Sequence, residues 1–222
     1  QVPDMRLVAS AHRRIQPHVF TDKQLAELVT AAAKLRPSYA LRPHTYATLF
    51  GLLASTGLRV SEALELQRAD VDLHSGLLLI RQTKFRKTRW VPLHPTVTKA
   101  LRQFARHRDQ DAGLRSSPWF FGRCGRPLPY RTVLGTFRRL SSSLGWQSNG
   151  ALPRPRIHDL RHSFVCRRLL QWYRDGVDLD QAIASLSTYL GHAKVSDTYW
   201  YLSGTGELLS IAGAKFERFA AV

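Results

Sequence analysis

The sequence has few acidic residues, few sulfur-containing side chains and no long apolar run. Its 222 residues include 16 Asp and Glu against 33 Lys and Arg, with two cysteines and one methionine. Cys124 and Cys166 are too few for a disulfide framework and lack the paired spacing of a zinc site, so we expect packing thiols in a reducing interior. No apolar stretch is long enough to span a bilayer and no signal-peptide pattern opens the chain, which argues against a membrane protein.

The shortage of carboxylates leaves a formal net charge of +17. Such a charge produces a strong positive surface field, and the expected partner is a polyanion. Since nothing favours a membrane surface, nucleic acid is the better prediction.

Apolar periodicity predicts a mainly helical core that begins near residue 20. Residues 1–19 mix Pro, Arg and His without a sustained period and are interpreted as a basic linker or arm. Thr21 with Gln24 three positions later predicts a capped helix start. A strongly apolar helix should follow and end at Gly57, and RVSEALELQRADV predicts a third helix.

The period then changes to that of a β-hairpin. Leu77–Gln82 and Arg89–Leu93 alternate as strands, and the turn between them is almost purely basic. Four more helical stretches follow, together with a tail helix over about 207–219. The helical stretches are PTVTKALRQFARHRD, YRTVLGTFRRLSSSLG, HDLRHSFVCRRLLQWYRDG and DLDQAIASLSTYLG.

The segment HDLRH brings three possible cations into one helical turn. His158, Arg161 and His162 stand at i, i+3 and i+4, which share one helix face. Like charges this close repel unless an anion lies between them, and a phosphate would suit the guanidinium fork of Arg161. An alternative is that one histidine is buried and neutral while Arg161 pairs with a carboxylate such as Asp159 or Glu62. A zinc site is weaker still, because the intervening Glu of a metalloprotease is missing.

Four motifs in order, TGLRVSEALEL, HDLRH, LGH and a tyrosine shortly after, resemble the catalytic domain of the tyrosine recombinases, the phage integrase family. The resemblance runs from about residue 20 to near the end. It implies a predominantly helical α+β fold with a small antiparallel sheet, and recombination of DNA without a metal or cofactor. It also implies a catalytic set with Glu62 as a supporting carboxylate: Arg59, Lys84, His158, Arg161, His192 and Tyr201.

Elementary chemistry agrees with those implied roles. Transfer of a DNA phosphodiester to a tyrosine places negative charge on the non-bridging oxygens, which two guanidinium groups would stabilise. Ionising a phenol of pKa near 10 at neutral pH costs roughly 4 kcal/mol, so His158 is a candidate base. Lys84 on the hairpin could protonate the departing 5′ oxygen, while His192 would hydrogen-bond the phosphate.

Two assignments have competitors. Tyr199 and Tyr201 point about 200° apart on a helix, so both cannot face one phosphate, and the family's spacing from the late histidine selects Tyr201. In the hairpin, Lys84 competes with neighbouring cations that could instead form a solvated cluster gripping backbone phosphates. His162 is expected to support the site. The expected DNA-backbone contacts are Arg86, Lys87, Arg89, Arg131, Arg138 and Arg139.

The resemblance also bears on what lies outside the catalytic domain. Recombinases of this family usually carry an N-terminal DNA-clamping domain, so we expect an isolated catalytic domain over residues 20–222. The tail helix could dock on a neighbouring protomer and form a homo-oligomer on DNA, or pack on its own core. Rival functions are a type IB topoisomerase and an inactive DNA-binding relative. We expect a cytoplasmic, nucleoid-associated protein of bacterial type.

Overall fold

A computed structural model describes residues 17–36, 41–81, 88–110, 117–122, 125–146, 154–203, 206, 208–210 and 213. Eight helices and one small sheet are seen in this part of the chain. The helices are α1 Asp22–Ala33, α2 Arg42–Thr56, α3 Val60–Glu65, α4 Pro95–Gln110, α5 Tyr130–Ser143, α6 Asp159–Arg174, α7 Leu179–Leu190 and α8 Ser196–Tyr199. The strands are β1 Val71–Asp72, β2 Leu77–Ile80 and β3 Arg89–Pro92. Short 3-10 helices cover Arg68–Asp70 and Trp200–Ser203.

The local signals at helix ends are confirmed. Thr21 Oγ1 accepts from the Gln24 backbone N–H at 3.2 Å, and the Gln24 side chain accepts from Thr21 N–H at 2.9 Å, so α1 starts with the predicted capping box. Gly57 ends α2 with φ of 63° and Gly191 ends α7 with φ of 66°, both in the left-handed region that glycine adopts without steric cost. Gly57 and Gly191 lie within the sequence motifs TGLRVSEALEL and LGH, respectively.

The expected small antiparallel sheet is present, with one more strand than the hairpin predicted. β2 pairs with β3 in the register Leu78 to Val91, and β1 pairs with β2. The third helix is shorter than RVSEALELQRADV predicted, since α3 ends at Glu65 and the chain enters a 3-10 turn and β1. The last residue of that segment, Val71, pairs with Leu78 of β2, and Asp72 stabilises the turn after β1 by accepting from two backbone N–H groups.

Two groups of buried apolar side chains hold the helices together. The larger one includes Phe50 of α2 and Phe137 of α5, whose ring centroids lie 5.9 Å apart. The smaller one joins α6 and α7 and contains Leu169, Tyr201 and Leu208. α2 packs against α6, so the two groups are neighbours. None of the helices described here combines the length and apolar character that a membrane span requires.

The start of α1 is also tied to α6. Phe20 is buried, and its backbone N–H donates to Ser163 Oγ at 2.8 Å. Ser163 follows the HDLRH motif directly, so the first described segment contacts the helix that carries that motif.

Candidate active site

The site is built where the ends of α2 and α7 meet the starts of α3 and α6. Arg59 precedes α3, Arg161 lies in the first turn of α6, and His192 follows the end of α7. Tyr201 lies in the 3-10 helix after α8. The fold therefore brings together four residues that are separated by up to 142 positions, 201 minus 59, in the sequence.

Arg161 is nearly completely buried, with 2% of its surface exposed. Its Nη1 donates to the Gly57 carbonyl at 2.7 Å and its Nη2 to the Leu190 carbonyl at 2.8 Å. Nη2 also lies 2.9 Å from His192 Nε2. Both carbonyls belong to helix C-terminal ends, where unpaired carbonyl oxygens carry partial negative charge, so they suit a buried cation.

The alternative in which Arg161 pairs with a carboxylate is wrong. The Asp159 carboxylate instead accepts from Arg156, whose Nη2 lies 3.0 Å from Oδ1 and whose backbone N–H lies 2.7 Å from Oδ2. Glu62 is occupied by two other arginines. Arg161 is thus held by main-chain oxygens, and no carboxylate among the described residues accepts a hydrogen bond from its guanidinium group.

The hydrogen bonds of His192 define its tautomer. A guanidinium only donates, so Arg161 donates to Nε2, and the proton of the neutral ring is then on Nδ1. Nδ1 lies 2.7 Å from Oγ1 of Thr198, which is completely buried. Burial, followed by the charge of Arg161, lowers the pKa of His192 to about 4, so the ring is neutral at pH 7.

The two histidines of HDLRH are neutral as well. Burial, then the neighbouring His158, lowers the pKa of His162 to about 3. Desolvation by the surrounding protein, then the charge of Arg161, lowers the pKa of His158 to about 4, although this residue keeps exposed surface. The two ring centroids are 4.9 Å apart in an edge-to-face arrangement. Two histidines and an arginine can therefore share one helical turn because only the arginine carries charge.

The tyrosines of SDTYWYL differ in burial. Tyr201 is 4% exposed, and its ring stacks on that of His192 with centroids 6.0 Å apart and an interplanar angle of 7°. His162 lies 5.0 Å from the same ring. Tyr199 is 44% exposed. Of the two, Tyr201 is the tyrosine inside the cluster.

The phenol of Tyr201 is protonated at neutral pH. Burial raises its pKa above the usual value of 10, while the charge of Arg161 and a hydrogen bond between the two side chains oppose that rise. His162 Nδ1 is buried beside it without a hydrogen-bond partner. The Tyr201 ring thus lies beside the neutral imidazoles of His162 and His192, and a neutral imidazole with an unoccupied nitrogen can accept a proton.

Arg59 is held by a carboxylate. Its Nη1 donates to Glu62 Oε1 at 2.8 Å and its backbone N–H donates to Oε2 at 2.9 Å. Its Nη2 reaches the Gly191 carbonyl at 3.3 Å, and 27% of the Arg59 side chain is exposed. Burial alone would raise the pKa of the Glu62 carboxyl, but Arg89 and then Arg59 outweigh it and keep the pKa below its usual value.

The predictions for the basic residues of the hairpin differ in how far the structure describes them. Lys84, Arg86 and Lys87 lie outside the described residues, so their roles stay predictions. Arg89 was expected among exposed phosphate contacts, yet its side chain is 11% exposed and contacts Glu62. Its burial and its pairing with Glu62 are not predictable from the basic turn alone.

The other expected DNA contacts lie on α5. Arg131, Arg138 and Arg139 are exposed on this helix. Arg138 and Arg139 line an open basic pocket with Arg154, whose Nη2 donates to the Arg138 carbonyl at 2.8 Å. These exposed arginines can meet a phosphate backbone without rearrangement of the core.

Cysteine and metal chemistry have little support in the site. Cys166 is buried, and burial raises the pKa of its thiol to about 12, as suits a packing residue. Cys124 lies outside the described residues. Within the described ranges, no three His, Cys, Asp or Glu side chains are grouped so that they could hold a metal ion.

Comparison with known proteins identifies the family. The model of the phage integrase family matches residues 18–206. This chain belongs to that family. The match covers every site residue named above, including the positions of the hairpin.

Relatives in this family carry recombinase names. The chain is 38% identical over 223 residues to y4rB of Sinorhizobium fredii, which has a provisional integrase/recombinase name; the match covers 98% of this chain and 71% of y4rB. It is 34% identical over 197 residues to tyrosine recombinase XerC of Agrobacterium fabrum, covering 88% of this chain and 57% of XerC.

The fold is that of solved recombinase structures. The XerH site-specific recombinase, in a post-cleavage complex with a palindromic difH substrate, superposes with a TM-score of 0.70 at 22% identity, covering 95% of this chain and 56% of XerH. The expected family and the α+β recombinase fold are confirmed. The chain thus spans between 56% and 71% of the lengths of these three proteins.

Proposed function

We propose that this chain is the catalytic part of a site-specific DNA recombinase that cuts and rejoins strands through a 3′-phosphotyrosine link at Tyr201. The observation that carries the proposal is the gathering of Arg59, Arg161, His192 and Tyr201 in one site. The family membership and the names of the relatives favour strand exchange over topoisomerase-like relaxation.

The first step is attack of the Tyr201 phenol oxygen on a backbone phosphorus. A bond forms between that oxygen and phosphorus, and the bond from phosphorus to the 5′ oxygen breaks. The phenol proton passes to a neutral imidazole, for which His158 is the candidate in the HDLRH motif. Because the pKa of Tyr201 is raised, proton removal has to accompany the attack.

The two arginines stabilise the charge of the transition state. Arg59 is the more accessible of the two, since 27% of its side chain is exposed whereas Arg161 is 2% exposed. Fixed donors of this kind are worth about 100–1000-fold in rate each. Arg161 also touches His192, so it holds that imidazole near the scissile phosphate.

The leaving 5′ oxygen needs a proton, and Lys84 is the proposed donor. The free 5′ hydroxyl of a partner strand then attacks the phosphotyrosine link, and the phenol recovers its proton. The bond energy is conserved in the ester, so no nucleotide cofactor takes part, and no metal ion is proposed.

The proposed partner is double-stranded DNA. The chain's charge of +17 and the exposed arginines of α5 support this proposal. A homo-oligomer on DNA through the 207–219 tail is a further prediction. Leu208 is completely buried against the α6–α7 group, so at least this residue packs on its own chain.

A trapping experiment tests the mechanism without knowledge of the target. The chain is incubated with a pool of random-sequence duplexes that each carry one nick, in the presence of a chelator. A nick close to the cleavage site lets the short leaving strand diffuse away, so a covalent intermediate accumulates. We expect a denaturation-resistant protein–DNA complex whose modified peptide contains Tyr201, identified by mass spectrometry.

Tyr201→Phe should abolish this complex, and Tyr199→Phe is the matched control that should retain it. Absence of any complex with the unaltered chain contradicts the proposed function. A complex that survives in Tyr201→Phe, or that forms only with a divalent metal ion, contradicts the assigned mechanism.

A further inference from the structure

Arg89, the first residue of β3, turns its guanidinium group inward. Nη1 donates to Glu62 Oε1 at 3.1 Å, and Nη2 donates to Oε2 at 2.9 Å. Nε donates to the Tyr189 carbonyl near the end of α7 at 2.8 Å. All three guanidinium nitrogens are therefore engaged with the protein, which is unlike a solvated side chain that grips DNA.

Glu62 is shared between Arg89 and Arg59. The same two carboxylate oxygens accept from Arg59 Nη1 and from its backbone N–H. A two-pronged contact from Arg89 fixes the plane of the carboxylate, because both prongs need matching oxygens. The orientation of Arg59 therefore depends on a carboxylate that Arg89 holds in place.

The end of α7 is shaped to admit Arg89. Gly191 has a φ of 66°, and a Cβ at this position would lie 2.7 Å from Arg89 Nη1. The Gly191 carbonyl accepts from Arg59, and the next residue is His192. Arg89 thus lies against the segment that joins Arg59 to His192.

We propose that Arg89 is a positioning residue that holds Arg59 at the scissile phosphate through Glu62 and does not itself bind DNA. This inference rests on the proposed recombinase function and adds a residue to its machinery. Since Arg89 is the first residue of β3, it also connects the strand that follows the basic turn to the active site.

A lysine could not take this place. Its ammonium group is a single point of charge, and it cannot reach both carboxylate oxygens and the Tyr189 carbonyl in one planar arrangement. The charge of Arg89 is thus less important than its forked shape. This separates positioning from general electrostatic attraction to DNA, for which lysine serves equally well.

The test separates DNA binding from strand cleavage. The rate of covalent complex formation at saturating protein and the affinity for the nicked duplex pool are measured for the unaltered chain, Arg89→Lys and Arg89→Met. We expect both variants to lose about 10–100-fold in the cleavage rate, the cost of a misplaced catalytic group. Affinity should change by less than about twofold, since no phosphate contact is lost.

The pH dependence of the cleavage rate is a second measurement, and general destabilisation of the fold would not shift it. Arg89 is the main group that lowers the pKa of Glu62, so its removal should raise that pKa. The acid limb of the cleavage rate should then move to higher pH in Arg89→Met. In the double variant with Glu62→Gln, replacing Arg89 should have little additional effect on the rate.

Two measurements keep the proposal testable if activity or folding is lost. In the DNA-free chain labelled with ¹⁵N-arginine, the slowly exchanging guanidinium signal of Arg59 should broaden or vanish in Arg89→Lys; this requires no recombination. If Arg89→Met does not fold, Gly191→Ala displaces the same guanidinium group while keeping its charge, and the same split between rate and affinity is expected.

Several results would overturn the proposal. A loss of affinity with an unchanged cleavage rate would make Arg89 a DNA contact. Full rate in Arg89→Lys with an unshifted pH profile would show that the fork is not needed. An unchanged Arg59 signal in Arg89→Lys would contradict the positioning role, whether or not the unaltered chain forms a covalent complex. Failure of the unaltered chain to form that complex would by itself refute only the proposed recombinase function.

Discussion

Arg59 and Arg161, the two arginines proposed to act in catalysis, are held in opposite ways. Arg59 is partly exposed and shares the Glu62 carboxylate with Arg89. Arg161 is buried and donates to the carbonyls of Gly57 and Leu190, with neutral imidazoles around it. Arg59 is stabilised by an anion, whereas Arg161 is stabilised by the carbonyl groups at two helix ends.

The difference shows how a strongly basic protein can concentrate cations in one site. On the Glu62 side a single carboxylate offsets part of the charge of two guanidinium groups. On the Arg161 side burial keeps His162 and His192 neutral, so neither imidazole adds a further positive charge. The first arrangement depends on an ionised carboxylate, whereas the second depends on packing.

The largest expected effect comes from replacing Arg161, the buried arginine. Arg161→Met retains the apolar length of the side chain but leaves two buried carbonyl oxygens without donors. Since an unpaired buried acceptor costs about 1–3 kcal/mol, we expect a loss of about 3 kcal/mol in the free energy of unfolding. The measurement is urea unfolding followed by circular dichroism at pH 7.

Arg59→Met is the matched variant for Arg161→Met, because it replaces the partly exposed arginine in the same way. Glu62 keeps its two contacts with Arg89, so the expected loss is about 1 kcal/mol. Equal losses in the two variants would remove the distinction between the buried and the carboxylate-held arginine.

The next effect is the dependence of stability on pH, which differs between the histidines around Arg161 and the Glu62 carboxylate. The folded pKa values of His162 and His192, about 3 and 4, lie below the usual 6.5, so the unfolded chain binds more protons in between. Stability from these histidines is fully present above pH 6.5 and is lost as pH falls through about 4 for His192 and about 3 for His162. The slope reaches about 1.4 kcal/mol per pH unit for each histidine.

Glu62 affects stability over a lower pH range than the histidines do. Its folded pKa is below the usual 4.5, so its contribution is present above that pH and is lost as pH falls through the lowered value. Urea unfolding from pH 7 to pH 3 measures both windows. His162→Gln should reduce the slope of stability against pH between pH 6 and 4. Glu62→Gln should lower the free energy of unfolding above about pH 4.5 and change the slope only below that pH; the reverse pattern would contradict the assignment.

The smallest expected effect tests whether burial strengthens the hydrogen bond between Thr198 and His192. Thr198→Val removes the buried oxygen 2.7 Å from His192 Nδ1 with almost no change in shape. We expect a loss of about 1 kcal/mol in the free energy of unfolding, because the buried Nδ1–H of His192 loses its acceptor. The His192 ¹⁵N chemical shifts should still report the Nδ1–H tautomer, because Arg161 continues to donate to Nε2.

The chain contains a matched control for this substitution. Thr96 Oγ1 lies 2.8 Å from His94 Nδ1 in an exposed pair. Thr96→Val should change the free energy of unfolding by less than about 0.5 kcal/mol, because water replaces an exposed hydrogen bond. If both variants behaved alike, burial would not be what stabilises the His192 contact.

Local signals in the sequence predicted much of this fold. The capping box at Thr21, the glycine ends of α2 and α7 and the two main strands of the sheet all depend on a few neighbouring residues, and the family motifs lie at these places. The short strand β1 was missed, because two residues carry too little periodic pattern to be distinguished from the end of a helix.

The sequence by itself determined the family, the fold class and the order of the motifs, since these depend on local spacing. Only the tertiary structure decided that the histidines of HDLRH are neutral, that Arg161 is held by main-chain carbonyls, and that Arg89 turns inward to Glu62. These features come from contacts between residues 27 to 104 positions apart. Charge and exposure at such contacts depend on which groups exclude water, and that is set by packing.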